Sequence, residues 1–231
     1  SGRTIDRDIG HRLGAMADLV CDVWARPDSG IWEVRSRPLH FTQSKMMCWV
    51  ALDRAVQLAG AGQIPATRIR TWEEEARAVR AFVDEHCWSE AKGSYVRSAG
   101  TDDLDASLLL GMLFGFVDPR GERAGGTIDA VRRELGRGPF LHRYSGEDGL
   151  AGGEGAFLTC SFWLVDALAR SGRVGKAVEL MEELVGLAND VGLYAEEVDP
   201  ETGEFLGNFP QGLTHLALIN AAVAVGEEGR S

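Results

Sequence analysis

The chain has few cysteines and keeps them apart. Its four, Cys21, Cys48, Cys87 and Cys160, each sit inside an apolar helical pattern. A disulfide scaffold needs density and a thiolate metal site needs close pairs, so this spacing implies neither, and buried free thiols in a reducing compartment are expected. Basic charge is also short. Lys and Arg total 24 against 35 Asp and Glu, a formal charge of −11 with no basic stripe. That argues against a nucleic-acid or anionic-membrane partner, because phosphate binding needs an excess of cations. No apolar run approaches bilayer length, and Ser1 to Asp8 are polar with no hydrophobic signal core. A cytoplasmic protein is the expectation. Low-complexity segments, period-two alternation and clustered metal ligands are missing too, and no metal or cofactor is expected.

What is present is helical periodicity. Ile5, Ile9, Leu13, Met16, Val20 and Val23 recur at three to four residue steps and predict an amphipathic helix over Thr4–Trp24. Thr42–Leu58 carries apolar residues on more than one stripe, as an inner helix would. Thr71 with Glu74 reads as a capping box opening a helix that runs to Cys87. Further helices are predicted over Leu104–Phe114, Ile128–Leu135, Gly155–Ser171, Val174–Asp190 and from Pro210 onward. With about eight helices and no strand signal, the fold class is all-α, a single domain over 1–231 built of stacked helical hairpins with specialised loops.

Two of those loops carry chemistry. Asp28–Arg35 reads D-S-G-I-W-E-V-R and sets Glu33 among Ile31, Trp32 and Val34. An apolar setting disfavours a carboxylate and would keep Glu33 protonated, as a general acid must be; Arg35 and Arg37 would oppose that if turned inward. Gly192–Pro200 reads G-L-Y-A-E-E-V-D-P and crowds Glu196 and Glu197, with Asn208 and Gln211 close behind. In that polar setting one carboxylate stays ionised as a base toward water, and Glu197 rivals Glu196 by adjacency. Two carboxylates in contrasting environments are what glycoside hydrolysis requires.

Six strings in order, D-S-G-I-W-E-V-R, H-F-T-Q-S-K, R-Y-S-G-E-D-G-L, E-G-A-F-L-T-C-S-F-W, G-L-Y-A-E-E-V-D-P and G-N-F-P-Q-G-L-T-H, span Asp28 to His215. They resemble glycoside hydrolase family 15, the glucoamylases, glucodextranases and bacterial trehalases. The resemblance implies an (α/α) toroid and inverting hydrolysis of an α-glucoside, with Glu33 as general acid and Glu196 as general base. It also implies substrate contacts from Ile31, Trp32, Arg143, Glu197, Asn208 and Gln211. His40, Lys45, Glu154 and His215 flank these as a surrounding shell; each of them also has a structural reading as a helix-end hydrogen-bond or ion-pair group. Fungal members carry a second acid directly after the general acid, where this chain has Val34.

The resemblance also implies a truncation. The first two hairpins of the family's toroid have no counterpart, and in the family they supply an arginine-aspartate pair and aromatics that grip the terminal glucose. Two other readings therefore stand beside the hydrolase. One is acid-base chemistry on a non-sugar small molecule, such as cyclisation, hydration or elimination. The other is a non-catalytic or split-enzyme module whose open edge is covered by a second copy or a partner chain.

Overall fold

The computed structural model describes residues 5–35, 37–145 and 155–230. The class is all-α, and the chain divides into two compact units, residues 1–88 with 98–100 and residues 89–97 with 101–231.

In the first unit α1 (Arg7–Val23), α2 (Thr42–Gly60) and α3 (Ile69–His86) pack on one another. The Asp6 carboxylate opens α1 by accepting the N–H groups of Asp8 and Ile9, relieving two of the donors a helix start leaves unpaired. The apolar stripe of α1 is buried only in part, with Leu13 and Val20 packed on the core and Ile9 and Met16 left exposed. Gly10, Gly14 and Ala17 are buried, whereas Ile9, Met16 and Leu19 are 54%, 64% and 58% exposed. A Cβ on Gly10 would stand 3.1 Å from the Gln63 carbonyl oxygen, and one on Gly14 would touch the Trp72 indole at 3.9 Å. The approach is tight at Gly10 and an ordinary contact at Gly14, and Leu13 and Val20 are half-buried against the same core.

The core of this unit joins Ala17 to Leu52, Ala55 and Ala59 of α2, Ile64, and Trp72, Ala76 and Val79 of α3. Trp72 is 2% exposed, and its Nε1 donates to Asp18 Oδ1 at 2.8 Å, so a large apolar ring is buried with its one donor satisfied. The Thr71/Glu74 capping box does not form. The Arg68 carbonyl already accepts the Trp72 N–H at 3.1 Å, which starts α3 at Ile69 and leaves Thr71 inside the first turn.

Among the described residues there are three small sheets: β1 (Trp88–Ser89) with β2 (Ser94–Tyr95), β3 (Gly136–Arg137) with β4 (Phe140–Leu141), and β5 (Ala156–Phe157), β6 (Glu197–Val198) and β7 (Phe205–Leu206) in that order. Each strand is two residues long. Alternation over two residues carries no periodic signal, which is why none was legible in the sequence.

In the second unit the predicted helix over Leu104–Phe114 is a 3₁₀ turn, Ala106–Leu109, feeding the short α4 (Leu110–Leu113). The predicted helix Ile128–Leu135 is the C-terminal half of α5 (Glu122–Leu135). Gly125 and Gly126 hid its first turns, since glycine lowers helix propensity by about 1 kcal/mol. Packing accounts for one of them: a Cβ on Gly126 would fall 2.0 Å from the Gly93 carbonyl oxygen. The remaining helices are α6 (Leu158–Arg170), α7 (Val174–Val185) and α8 (Gly212–Glu228).

Helix α6 is the centre of this unit, with eleven of its thirteen residues buried, and it packs against α4, α5, α7 and α8. The buried side of α8 is small, Thr214, Ala217, Ala221 and Ala224. Leu213, Leu216, Ile219 and Val223 are more than half exposed. No helix among the described residues is long and apolar enough to cross a membrane.

Candidate active site

The loop that carries Glu33 is closed at its neck by an antiparallel pairing of Asp28 with Leu39, each N–H donating to the other's carbonyl at 2.8 and 2.9 Å. Within it the Val34 N–H reaches the Ser29 carbonyl at 3.0 Å and the Glu33 N–H the Gly30 carbonyl at 3.2 Å. Gly30 lies flat on the Phe41 ring, where a Cβ would come within 3.0 Å, and it has φ +70°. The turn ends on Glu33 itself, at φ 50°. A non-glycine residue in this left-handed region costs about 1–2 kcal/mol, and here it separates the directions of two neighbours. Val34 is turned into the core at 8% exposure, while Glu33 stands exposed. The apolar enclosure expected of Glu33 is therefore missing among the described residues. Ile31 is also exposed, and Trp32 is half-buried.

Lys45 and His40 sit beneath this loop. The Lys45 side chain is 2% exposed, and its ammonium donates to the carbonyls of Trp24 and Arg26 at 2.7 and 2.6 Å and to Asp28 Oδ2 at 3.4 Å. His40 packs on Phe82 with ring centroids 5.3 Å apart, and its Nδ1 is buried with no hydrogen-bond partner among the described residues. Burial holds the His40 pKa below its ordinary value, and the nearby Lys45 charge adds to that.

In the second unit Glu196 precedes the central strand β6. Its backbone is pinned on both sides: its N–H donates to the Asn208 carbonyl at 2.9 Å, and its carbonyl accepts the Leu158 N–H at 3.1 Å. Its carboxylate is pinned on one oxygen. Oε2 accepts the Asn208 backbone N–H at 3.1 Å and the Asn208 Nδ2 at 2.8 Å, whereas no described residue hydrogen-bonds Oε1. A carboxylate fixed through one oxygen with the other open is suited to taking a proton from water. Gly207, at φ +72°, permits the approach, since a Cβ there would fall 2.9 Å from Glu196 Oε2.

Glu197 points elsewhere, because successive side chains of a strand alternate in direction. A Cβ on Gly155 would stand 3.0 Å from Glu197 Oε2. With Asp105 and Arg143, Glu197 acts on the buried Cys160 thiol. Burial pushes that pKa well above the ordinary value, Asp105 adds to the rise, Arg143 opposes it, and Glu197 adds again. The Arg143 guanidinium lies 5.5 Å from the Phe157 ring centroid and 5.7 Å from that of Tyr144, and Phe157 is the register partner of Glu197 across β5 and β6.

Gln211 is the N-cap of α8, its side chain accepting the Leu213 N–H at 3.3 Å. His215 bonds the Gln211 carbonyl through Nδ1 at 2.7 Å and buries Nε2 unpartnered among the described residues. Glu154 lies outside the described residues. Two further acids are ordered by the structure. Asp28 lies at the neck of the first loop, and Asp105, 3% exposed, lies 3.8 Å from the Arg97 Nε, whose guanidinium covers the Tyr144 ring at 3.8 Å. An aspartate directly before an apolar run, D-A-S-L-L-L, was the signal available for Asp105.

Comparison with known proteins agrees with the motifs. Residues 1–223 match the family described as Glycosyl hydrolases family 15. The sequence is 47% identical over 205 residues to the trehalase of Mycobacterium tuberculosis, covering 87% of this chain and 30% of that protein. It is 38% identical over 201 residues to the trehalase of Thermoplasma volcanium, covering 87% and 32%. The chain thus spans about a third of the length of these relatives. Among solved structures it superposes on a bacterial glucoamylase complexed with acarbose at TM-score 0.79 and 16% identity, over 94% of this chain and 37% of that one. A wild-type glycosidase superposes at TM-score 0.79 and 22% identity, over 92% and 59%. At those identities the likeness is one of fold, part of an (α/α) toroid.

Proposed function

Because the chain belongs to glycosyl hydrolase family 15, we propose that it carries the acid and the base of an inverting hydrolase acting on α,α-trehalose. Glu33 protonates the bridging oxygen, and the C1–O bond of one glucose breaks. Glu196 takes a proton from a water that attacks that C1 from the opposite face. One glucose leaves as the α anomer and the attacked one as the β anomer, so trehalose and water are consumed in equal amounts.

The observation that supports this reading most is the Glu196 carboxylate, tied to Asn208 through Oε2 and open at Oε1. The identity to proteins named trehalase supports trehalose over longer glucans. Arg143, Ile31 and Trp32 are the proposed sugar contacts, and Glu197 supports the sugar side of the base loop. The reaction requires the two carboxyl groups about 6.5–9.5 Å apart across the bond, with room for the water.

Proton NMR of fresh product tests the reading: equal α- and β-glucose in the first minutes, before mutarotation, is expected from trehalose. Glu33→Gln and Glu196→Gln should each lower kcat by at least about 10²-fold, the usual worth of a positioned proton donor or acceptor. Absence of turnover on trehalose, maltose and isomaltose, or full activity in Glu33→Gln, overturns it.

A further inference from the structure

Resting on Glu33 as the acid, we infer that Asp28 and Lys45 form a positioning device that holds the Glu33 loop against the start of α2. The contacts converge on Asp28 from four directions. Its backbone closes the loop neck with Leu39, and its Oδ1 accepts the Gly30 N–H at 2.7 Å and the Ser44 hydroxyl at 2.7 Å. Its Oδ2 faces the Lys45 ammonium at 3.4 Å. Ser44 and Lys45 are the third and fourth residues of α2, so one carboxylate ties the rising limb of the loop to a rigid helix.

Lys45 completes the tie. Its three donors meet three oxygens, those of Trp24, Arg26 and Asp28, on a segment that descends from α1 toward the loop. Those oxygens are alternate residues of one chain segment, brought to a single point. Without a cation between them they would repel, and two carbonyls would lose their partner in a place where Lys45 itself is buried. The loop turn that sets Glu33 at φ 50° begins two residues after Asp28, at Gly30. A shift at Asp28 is therefore passed to Glu33 through Gly30, whose N–H is held by Asp28 Oδ1 and whose carbonyl accepts the Glu33 N–H, and a misplacement of about 1 Å costs up to about 10²-fold in rate.

Neither residue touches the reacting atoms, so the test must separate positioning from folding. Asp28→Asn keeps the shape of the side chain and its acceptor for Gly30 and Ser44, and loses the charge that Lys45 faces. The comparison is between trehalose, whose leaving glucose needs a proton, and α-glucosyl fluoride, whose fluoride departs with little help from an acid. Asp28→Asn should lower kcat on trehalose by about 10²-fold, with kcat on the fluoride falling less than about threefold and KM on both unchanged, the pattern Glu33→Gln shows in stronger form. Ser44→Ala should show the same selectivity with a smaller loss.

Equal losses on both substrates in Asp28→Asn, while Glu33→Gln remains selective, overturn the inference and leave the proposed function standing. Loss of selectivity in Glu33→Gln itself removes the acid assignment instead. A second measurement needs no turnover. Amide hydrogen exchange in the chain should accelerate at least tenfold at Gly30, Glu33 and Val34 in Asp28→Asn and stay unchanged along α3. Unchanged exchange at those three amides also overturns it.

Discussion

Asn208 holds Glu196 by two donors of different kinds, one on its backbone and one on its side chain. Asn208→Ala removes the second and keeps the first. A hydrogen bond to a charged acceptor contributes about 1.5–3 kcal/mol, so kcat on trehalose should drop about tenfold or somewhat more, with a small change in KM. Steady-state kinetics read this, and an unchanged kcat would count against Asn208 as the group that orients the base. His40 gives a pH signature. Its pKa is held below the ordinary 6.5 by burial first and Lys45 second, with His86 acting in the same direction and Asp28 against them. The folded state therefore binds the proton less readily than the unfolded chain. His40's contribution to stability is complete above pH 6.5 and is lost as pH falls through that value toward the lowered one. Urea unfolding of the chain and of His40→Phe between about pH 5 and 7.5 should show a shallower pH slope in the variant; identical slopes would place the titrating group elsewhere. Glu33 and Glu196 stand out in the sequence as candidates because each motif is a contiguous string. The Lys45–Asp28 contact does not, because its partners are seventeen residues apart and meet only through the loop neck.

Among the elements, the β6–β7 hairpin places the proposed base, Glu196, and Gly207 is where it approaches that side chain most closely. Gly207→Ala forces a left-handed alanine, costing about 1–2 kcal/mol, and sets a methyl 2.9 Å from Glu196 Oε2. Thermal unfolding should drop by several degrees, and activity should fall further than that of Asn208→Ala, since the carboxylate must move. An active, equally stable variant would show that the hairpin yields without disturbing Glu196. The long helices were readable from period alone, within a few residues of their ends. What failed has a physical reason in each case. The capping box at Thr71 lost to a helix bond made earlier by Arg68, and the first half of α5 was masked by Gly125 and Gly126, of which only Gly126 is demanded by packing against Gly93. Of the α1 stripe, Leu13 and Val20 pack on the core as the period implies, whereas Ile9 and Met16 are exposed; the tight approach is at Gly10, where a Cβ would stand 3.1 Å from the Gln63 carbonyl oxygen.

At the scale of the whole chain, α1 and α8 each bury small residues and expose large apolar ones. On each helix, exposed large apolar residues of this kind favour association. The apparent mass by light scattering should rise with concentration. Leu216→Lys with Ile219→Lys on α8 should lower it while leaving the far-ultraviolet circular dichroism unchanged, because both side chains are exposed. A mass that is constant with concentration and equal in the variant would set the association reading aside. The turn at Glu33 has a different kind of consequence. Its backbone sits where glycine or asparagine would rest at lower cost. A library selected for folding alone would drift at position 33 away from glutamate, and one selected on substrate would hold it there. The two selections would diverge at the proposed acid.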